Sequence, residues 1–478
     1  MVMPIRTHLP LFAASCAALA LAACCPPRKP AEEREPAPGA AVPGQEWPPV
    51  TRPLLLFGLD GADWRVMDPL LAAGRLPNFA RLIESGARAP LQTFEPTLSP
   101  LIWTTIATGF APRRHGITGF TAKDPESGED LLVTGNMRRV PALWNILSAA
   151  GHRVGVTGWW ATYPAERVEG FVVSDQAFDL RRANYAEALG LPAPAGGGAA
   201  DPRATWPADL AEKLGAELSM TAAPDPALLA RFMDLPSERL EALKARGTVD
   251  KEDIFSIFSF ALAIDRALVA AWHGATGDAP PVFNAIYLNG LDAAEHHFWK
   301  YREPERFAGV DPDGIRRYGR VIDEYYVYMD EVLGGLLERY PLETSLVLVV
   351  SDHGHEANPE YDPDSGDHFN RVCSGSHEKA PDGVFLLAGR DARAGGVLFR
   401  RPSIFDVAPT VLALMGLPVG EDMPGRVLED AIDSAFLAGR PVRRVPSHSA
   451  GWRYDQAPIR SRIGGDLLEK LKGLGYVE

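Results

Sequence analysis

The chain has 478 residues, of which 46% are hydrophobic and 23% are charged, an ordinary globular composition that is long enough for one large domain or two smaller ones. Its formal net charge is −14 at pH 7, with a sequence pI of about 5.3. Because a protein that binds nucleic acid must neutralise backbone phosphates with clustered Lys and Arg, this acidic balance argues against nucleic-acid binding. An acidic protein can still bind a phosphate ester where metal ions supply the positive charge.

The N-terminal segment is typical of an exported protein. An apolar run from Leu9 to Ala23 is short for a transmembrane span, so we predict a signal peptide over residues 1–23. The run ends in LAAC, which resembles a bacterial lipobox and predicts cleavage before Cys24 and lipidation of its sulfur. The alternative is an ordinary secretory signal followed by a free cysteine. Because Cys25 rather than Asp follows, the resemblance favours anchoring to the bilayer of the bacterial cell envelope, at the outer membrane facing the periplasm.

Residues 24–50 are rich in Pro, Ala and Glu and are predicted to form a tether, because they cannot bury a core. The folded body is predicted over residues 51–430. Only one cysteine, Cys373, lies in that body, so no disulfide framework stabilises it, and we interpret Cys373 as a plain thiol.

Short apolar runs in the body predict buried strands, and amphipathic runs between them predict helices. The strand candidates are LLLFGL, RVGVT, FNAIYL, LVLVV and VFLL, and the helix candidates include LPNFARLIESG, VPALWNILSAAG and IDEYYVYMDEVLGGLLERY. Strands that alternate with helices predict an α/β fold with a mostly parallel central sheet and helices on both faces.

Three stretches depart from this alternation. Residues of about 180–250 are rich in Ala and Pro and are predicted to form an inserted helical cap. Ile254–Ile264 is apolar, but Asp265 and Arg266 end the apolar run, which favours a core helix over a membrane span. Residues 431–478 are predicted to form a peripheral C-terminal tail.

The polar residues that follow the predicted strands are the chemically informative ones, since ligands bind at the carboxyl ends of strands in open α/β sheets. Each residue alone is more often a turn former, a cap or a surface group. Together they form a set of three carboxylates and three imidazoles, which suits Zn²⁺ or, less often, Mn²⁺, and two divalent ions rather than one. The set is Asp60, Asp292, His296, Asp352, His353 and His377.

Ser99 is the candidate nucleophile. It precedes Pro100 and the apolar run LIWTTIATG, and Ser followed by Pro is the typical start of a helix. Ser99 is therefore interpreted either as a simple helix cap or as a hydroxyl held beside an anion-binding helix N-terminus. A metal ion bound to this hydroxyl would lower its pKa, so that no Ser–His–Asp triad is needed.

Several segments, in this order and spacing, resemble the alkaline phosphatase superfamily, and in particular its type I phosphodiesterase/nucleotide pyrophosphatase branch with the related phosphohydrolases and phosphomutases. These segments are LLLFGLDGADW, PTLSPLIWTTIATGFAPRRHGI, LDAAEHHFW, VVSDHGHE, GSHEKAPDGVFLLAG and DVAPTVLALMGLPVGEDMPGRVL. The resemblance extends from Leu54 to Leu428 without most of the cap, and it implies an alkaline phosphatase-like fold.

The resemblance also implies how the residues divide between two metal ions. Asp60, Ser99, Asp352 and His353 match the site that includes the nucleophile. Asp292, His296 and His377 match the other site. His296 is preferred to its neighbour His297, because the family places three residues between this Asp and His.

Other branches of the superfamily fit less well. Ser99 lacks the C/S-x-P-x-R pattern of sulfatases, and no series of membrane helices of the kind found in phosphoethanolamine transferases follows the signal segment. Nucleotide pyrophosphatases carry an Asn shortly after the HGI turn, where this chain has Phe120, which weakens a nucleotide-diester assignment. Asn136 and Asn289 are candidate replacements, and Tyr163 is interpreted either as pocket-lining or as core.

The sequence thus predicts a metal-dependent phosphoric ester hydrolase, favouring a phosphodiesterase that acts on a small-molecule phosphate ester through a phosphoserine intermediate. A phosphomonoesterase or phosphoryl transferase is the first alternative. A non-catalytic envelope lipoprotein that only binds is the second. All of these hypotheses with two metal ions require the six ligand candidates and Ser99 to converge in space.

Overall fold

The computed structural model describes residues 52–123, 128, 130–177, 202–218, 226–245, 250–379, 381–398, 400–454 and 462–463. The predicted signal peptide, Cys24 and the tether of residues 24–50 lie outside these ranges, and so do residues 178–201 of the predicted cap.

The strands in the described part of the chain form one large sheet and three small ones. In chain order they are β1 (Leu54–Leu59), β2 (Gly86–Leu91), β3 (Thr121–Lys123), β4 (Asp130–Leu132), β5 (Val154–Thr157), β6 (Gly170–Val173), β7 (Thr205–Trp206), β8 (Phe283–Leu288), β9 (Leu346–Val350), β10 (Glu356–Ala357), β11 (Gly375–Ser376), β12 (Gly383–Gly389), β13 (Gly396–Val397), β14 (Val419–Gly420), β15 (Arg444–Val445) and β16 (Arg462–Ile463). The large sheet has the order β13-β2-β12-β9-β1-β8-β5-β6-β7. Its central strands β9, β1, β8, β5 and β6 run parallel, whereas β12 is antiparallel to both β9 and β2, and β7 is antiparallel to β6.

Helices cover both faces of this sheet, which confirms the predicted fold class. They are α1 (Trp64–Ala72), α2 (Pro77–Glu84), α3 (Ser99–Thr108), α4 (Pro112–His115), α5 (Leu143–Ala149), α6 (Leu210–Lys213), α7 (Gly215–Leu218), α8 (Pro226–Phe232), α9 (Ser237–Ala245), α10 (Ile254–Thr276), α11 (Gly290–Arg302), α12 (Pro312–Tyr318), α13 (Val321–Leu337), α14 (His368–Val372), α15 (Val407–Leu414) and α16 (Ser434–Gly439). Short 3₁₀ turns cover Gly135–Met137, Pro304–Arg306, Ile404–Asp406 and Glu429–Ala431.

Strand β1 shows why the core has two layers. Successive side chains of a strand point to opposite faces of the sheet. Leu55 and Phe57 therefore pack with α1, α2, α10, α11 and α13 on one face. Leu54 and Leu56 pack with α3, α5 and α15 on the other. All four side chains are fully buried, so β1 is apolar throughout rather than alternating, as expected for a central parallel strand.

Helix α10 is longer than the sequence suggests. Among the described residues it is the one helix long and apolar enough to cross a membrane, but 72% of its most apolar window is buried inside the protein, so it is a core helix as predicted. Asp265 and Arg266 end the apolar run but not the helix, which continues to Thr276. Asp265 is accommodated because its carboxylate accepts hydrogen bonds from the backbone N–H groups of Asn289 (3.2 Å) and Gly290 (3.0 Å) and from the Tyr325 hydroxyl (3.0 Å).

The described parts of the predicted cap and tail are attached to the body. In the cap region, β7 extends the large sheet, and Phe232 at the end of α8 packs against Phe258 of α10 with ring centroids 5.3 Å apart. In the tail, β15 pairs with β14 and β16 pairs with β4. The Tyr454 hydroxyl donates a hydrogen bond to the carbonyl of Pro164 (2.7 Å).

Candidate metal centre

The sheet order brings the candidate ligands to one edge. Strands β9, β1 and β8 are adjacent and parallel, so the residues that follow them meet at their carboxyl ends. Asp60 directly follows β1, and Asp352 and His353 are the second and third residues after β9. Asp292 and His296 lie one turn apart at the start of α11, which follows β8. His377 comes directly after β11 and completes the set.

The first group of ligand atoms surrounds the His353 imidazole. Its Nε2 lies 3.5 Å from Asp60 Oδ1 and 3.3 Å from Asp352 Oδ2. The second oxygen of Asp60 is held elsewhere, because Oδ2 accepts hydrogen bonds from Trp103 Nε1 (3.0 Å) and from the Tyr287 hydroxyl. Each carboxylate of this group thus has one oxygen directed at the imidazole.

The second group surrounds Asp292. Its Oδ1 lies 3.5 Å from His296 Nε2, and the ligand atoms of Asp292, His296, His355 and His377 all lie within 4.8 Å of one another. The His296 ring is oriented by its other nitrogen, since Nδ1 donates to the Gly375 carbonyl (3.0 Å).

The orientation of His377 is fixed in the same way by Thr97. The Thr97 hydroxyl donates to the His377 carbonyl (2.9 Å), so it accepts from His377 Nδ1 (3.0 Å). The neutral ring then has its lone pair on Nε2.

The two groups adjoin each other. Ligand atoms of Asp60, Asp292 and His353 also lie within 4.8 Å of one another, and the rings of His353 and His377 are stacked with centroids 4.1 Å apart. The family resemblance assigns Asp292 to one site, whereas the structure places its carboxylate beside both.

The residues present fit divalent cations. The inward atoms are buried and have no hydrogen-bond partner among the described residues, which is a costly arrangement unless something else binds them. These atoms are Asp60 Oδ1, Asp292 Oδ1, His296 Nε2, Asp352 Oδ2, His353 Nε2 and His355 Nε2. Ligand atoms at about 2.0 Å from one tetrahedral ion lie roughly 3.3 Å apart. The measured separations of 3.3 to 3.5 Å within each group match that spacing.

Burial sets the charge state of these side chains in the absence of a cation. Desolvation raises the pKa of Asp60 to about 6 and lowers the pKa values of His296 to about 4 and of His353 to about 3. It also raises the pKa of Asp352 well above its ordinary range, where the nearby Asp60 adds to the effect. The imidazoles are thus neutral and able to bind metal at pH 7, and a nearby cation would favour the ionised carboxylates.

Ser99 adjoins the first group. It is the first residue of α3, and Leu98 occupies the cap position, from which no side-chain hydrogen bond is made. Sequence reasoning left open a helix cap with Pro100 as the first helical residue, and the structure does not show that geometry. Ser99 interacts with the Asp60 carboxylate, and this interaction lowers the pKa of Asp60 that burial raises.

Other residues considered from the sequence have different surroundings. His297 faces away from the cluster, with Nδ1 3.3 Å from the Val372 carbonyl and 3.9 Å from Cys373 Sγ. Phe120 is buried and packs edge-on against Trp160.

The remaining three candidates also lie in the body. Asn136 Oδ1 accepts a hydrogen bond from the Thr134 hydroxyl (2.6 Å), and Asn289 occupies the cap position of α11. Tyr163 is buried, and its backbone N–H donates to Asp175 (2.9 Å).

His355 is not among the ligand candidates that the sequence indicates, yet its ring lies inside the second group. Its Nε2 is 3.3 Å from Asp292 Oδ1, and its centroid is 4.7 Å from that of His296. The available signal was the second histidine of SDHGHE, two residues after His353.

A mostly parallel α/β sheet with carboxylates, imidazoles and a serine gathered at its carboxyl edge is the arrangement that the sequence resemblance implies. The family model for type I phosphodiesterase / nucleotide pyrophosphatase matches residues 54–397, and the chain belongs to this family of phosphoric ester hydrolases.

Two solved structures are similar to this chain at low identity. A variant of the alkaline phosphatase PafA is 13% identical, with a TM-score of 0.50 over 80% of this chain and 100% of that one. Human ectonucleotide pyrophosphatase/phosphodiesterase 5 is also 13% identical over 80% of this chain and 100% of its own, with a TM-score of 0.44.

A curated relative matches a shorter stretch. The 2,3-bisphosphoglycerate-independent phosphoglycerate mutase of Cereibacter sphaeroides is 33% identical over 103 residues, which is 22% of this chain and 18% of that protein. The match therefore spans less than a fifth of the relative's length.

Proposed function

We propose that this protein is a metal-dependent phosphodiesterase in which Ser99 is the nucleophile and is transiently phosphorylated. One observation carries the proposal: two adjoining groups of buried, unpartnered ligand atoms converge beside a serine hydroxyl that does not cap its helix. A chain that only binds a partner would not need this set, so the non-catalytic alternative is disfavoured.

The ligand residues divide into two sets by their contacts. Asp60, Asp352 and His353 would hold one ion together with Ser99, and Asp292, His296 and His377 would hold the other. Two divalent ions, Zn²⁺ in preference to Mn²⁺ for this carboxylate and imidazole set, would supply positive charge that stabilises the transferring phosphoryl group.

The protein's own residues supply the nucleophile and its orientation. Ser99 Oγ attacks phosphorus, a bond forms between them, and the bond from phosphorus to the first ester oxygen breaks, releasing one alcohol. Water then cleaves the phosphoserine and regenerates the hydroxyl. At the amino end of α3, Pro100 has no N–H and the N–H groups of Leu101 and Ile102 donate to the Leu98 carbonyl (3.0 Å each), so an anion there would be attracted by the positive end of the helix dipole.

The choice of a diester rests on the family, whose name includes phosphodiesterase. Phosphoryl transfer to an acceptor, or monoester hydrolysis, is the second candidate, supported by the short match to a phosphoglycerate mutase and by the apolar Phe120 where a nucleotide pyrophosphatase has a polar side chain. Lipid anchoring of Cys24 in the bacterial envelope remains part of the proposal on the N-terminal sequence alone.

The test is a comparison of an aryl phosphodiester with the matching aryl monoester on purified protein loaded with zinc or with manganese. We expect faster turnover of the diester. Ser99→Ala should lose about 10³-fold or more in turnover while retaining its metal, since removing a nucleophile abolishes the covalent route.

Ser434→Ala is the matched control, because Ser434 is also the first residue of a helix but is exposed. Near-normal turnover of Ser99→Ala would remove Ser99 from its role, and a monoester preference would favour the second candidate.

A further inference from the structure

His355 is a buried imidazole to which the proposed function assigns no role. Its side chain is inaccessible to solvent, and its Nε2 lies 3.3 Å from Asp292 Oδ1. Neither of these two atoms has a hydrogen-bond partner among the described residues. His355 Nε2 and Asp292 Oδ1 therefore do not hydrogen-bond to each other, and each atom needs a further group as its partner.

The environment of Nε2 is that of a ligand. This atom lies within 4.8 Å of the ligand atoms of Asp292, His296 and His377. The ring centroids of His355 and His377 are 5.3 Å apart. The separation of 3.3 Å from Asp292 Oδ1 equals the roughly 3.3 Å expected between two ligand atoms on one tetrahedral ion. Asp292 Oδ1 lies 3.5 Å from His296 Nε2, so His355 is as close to Asp292 as His296, the residue that the family pattern selects.

The other ring nitrogen of His355 faces a carboxylate. Nδ1 lies 3.0 Å from Glu295 Oε2, and Glu295 is fully buried. Glu295 is itself positioned, because its Oε1 accepts from the Tyr326 hydroxyl (3.0 Å), which accepts from the backbone N–H of Asp63 (2.9 Å). A carboxylate behind an imidazole is the usual arrangement for metal-binding histidines. Here Nδ1 and Oε2 face each other at 3.0 Å without a hydrogen bond of regular geometry among the described residues.

Gly61 makes room for this carboxylate. A Cβ at residue 61 would lie 2.8 Å from Glu295 Oε2 and 3.2 Å from His355 Cε1, and the backbone there has φ of +81°, which favours glycine. The residue next to Asp60 is thus compatible with the close approach of Glu295 to His355.

We propose that His355 Nε2 is a fourth protein ligand of the ion at Asp292, His296 and His377, which is then bound by one carboxylate and three imidazoles. Four protein ligands are typical of closed sites that retain their ion, whereas three leave a position open. With His355 included, the ion beside Asp292 has four protein ligands, the same number as the ion that Asp60, Ser99, Asp352 and His353 would hold in the proposed function. The inference rests on the two-metal site of the proposed function but not on hydrolysis.

The decisive experiment is long-range ¹H–¹⁵N NMR of the full-length protein labelled with ¹⁵N-histidine, recorded during titration of the metal-free protein with Zn²⁺. We expect the Nε2 resonances of His296, His353, His355 and His377 to shift to metal-bound positions, and those of His297 to stay. A His355 Nε2 resonance that does not shift while the other three do would overturn the proposal. This arm uses the unaltered protein and does not depend on the folding of any variant.

Variants provide the second arm, with metal content and calorimetric zinc binding as readouts. His355→Ala should bind one zinc tightly and the second at least about 10-fold more weakly. His297→Ala is the matched control on the same helix as His296, and it should bind both ions normally. Two equally tight zinc ions in His355→Ala would overturn the inference.

Ser99→Ala separates this inference from the proposed function. It should show the same four histidine shifts while turnover is lost. Normal turnover of an aryl diester by the unaltered protein without a His355 shift would leave the proposed function standing and remove His355 from the ligand set. A protein that binds no zinc would contradict both.

Discussion

Most inward-facing ligand atoms at this site belong to side chains that are fixed by a second contact. His296 is held by the Gly375 carbonyl, His377 by the Thr97 hydroxyl, and Asp60 by Trp103 and Tyr287. These contacts orient the ligand atoms before any ion binds, so little conformational entropy remains to be lost on binding.

Thr97 gives a direct test of this orientation. Thr97→Val removes the hydroxyl that accepts from His377 Nδ1 but retains the shape of the side chain. We expect zinc affinity at one site to fall about 10- to 100-fold, as is usual when the partner of a metal-binding histidine is lost. Isothermal titration calorimetry measures the change.

Thr108→Val is the control, since Thr108 is equally buried but donates to the Thr104 carbonyl instead. Unchanged zinc affinity in Thr97→Val would argue that His377 binds no metal.

His115 predicts a pH dependence of stability that is independent of the metal ligands. Its Nδ1 accepts from the backbone N–H of Ile117 (3.2 Å), so the ring must be neutral, and its Nε2 donates to the Thr105 hydroxyl (3.0 Å). Burial lowers its pKa from 6.5 to about 3. A lowered pKa means that His115 stabilises the fold fully above pH 6.5 and progressively less as the pH falls towards 3.

At pH 5 the loss should be about 2 kcal/mol, the value for 1.5 pH units below the unfolded pKa. The measurement is urea unfolding at pH 7.5 and pH 5 for the parent protein and for His115→Gln, which cannot titrate. If both proteins lose the same stability between these pH values, His115 is not the group responsible.

At the scale of elements, the start of α11 is positioned by a different helix. Asp265 in α10 accepts from the N–H groups of Asn289 and Gly290, which precede Asp292. The Asp265 carboxylate thus caps the N-terminus of α11 from outside that helix. It fixes the direction in which α11 leaves strand β8, and therefore the positions of Asp292 and His296.

Asp265→Ala should therefore destabilise the protein by about 2–4 kcal/mol, because two backbone donors and the Tyr325 hydroxyl lose a buried acceptor. Asp265→Asn keeps one acceptor oxygen and should lose less. Urea unfolding of the metal-free proteins measures the difference, and equal stability of Asp265→Ala and the parent would contradict the capping role.

The central strands could be predicted from the sequence because they are continuously apolar. The runs LLLFGL, FNAIYL and LVLVV coincide with β1, β8 and β9. Strand β2 escaped prediction because GARAPL has little apolar pattern of its own and depends on pairing with β12. Helix α10 was predicted too short because its buried acid is compensated by groups far along the chain, which a local pattern does not contain.

The site could be predicted only in part, again because a local sequence pattern does not contain contacts between residues far apart in the chain. Residue types and strand ends indicated seven residues that the structure places together, although their metal-binding roles remain a prediction. The direction of a ring could not be predicted from the sequence: His355 lies between Asp292 and Glu295, and its contact with Asp292 joins residues far apart in the chain.

For the whole molecule, the buried acidic cluster predicts that metal contributes to stability. Three ligand carboxylates that are expensive to ionise without a cation gain a partner when ions bind. Each site at 100-fold excess over its Kd should add about 2.7 kcal/mol, which corresponds to a rise in Tm of several degrees. Scanning calorimetry after chelation and after zinc addition measures it, with NaCl of equal ionic strength as control, and an unchanged Tm would contradict a metal-binding cluster.

The place of β1 in the sheet has a consequence for when the centre can form. Leu54 pairs with Phe283 on one side and with Leu346 on the other, so β1 cannot complete its pairing until these later segments of the chain have been synthesised. Such long-range pairing is slow and cannot begin on a short nascent chain. The ligand cluster therefore assembles only on the finished polypeptide. If the chain binds metal as proposed and is exported as its first residues predict, loading would follow translocation and draw on the ions available in the destination compartment.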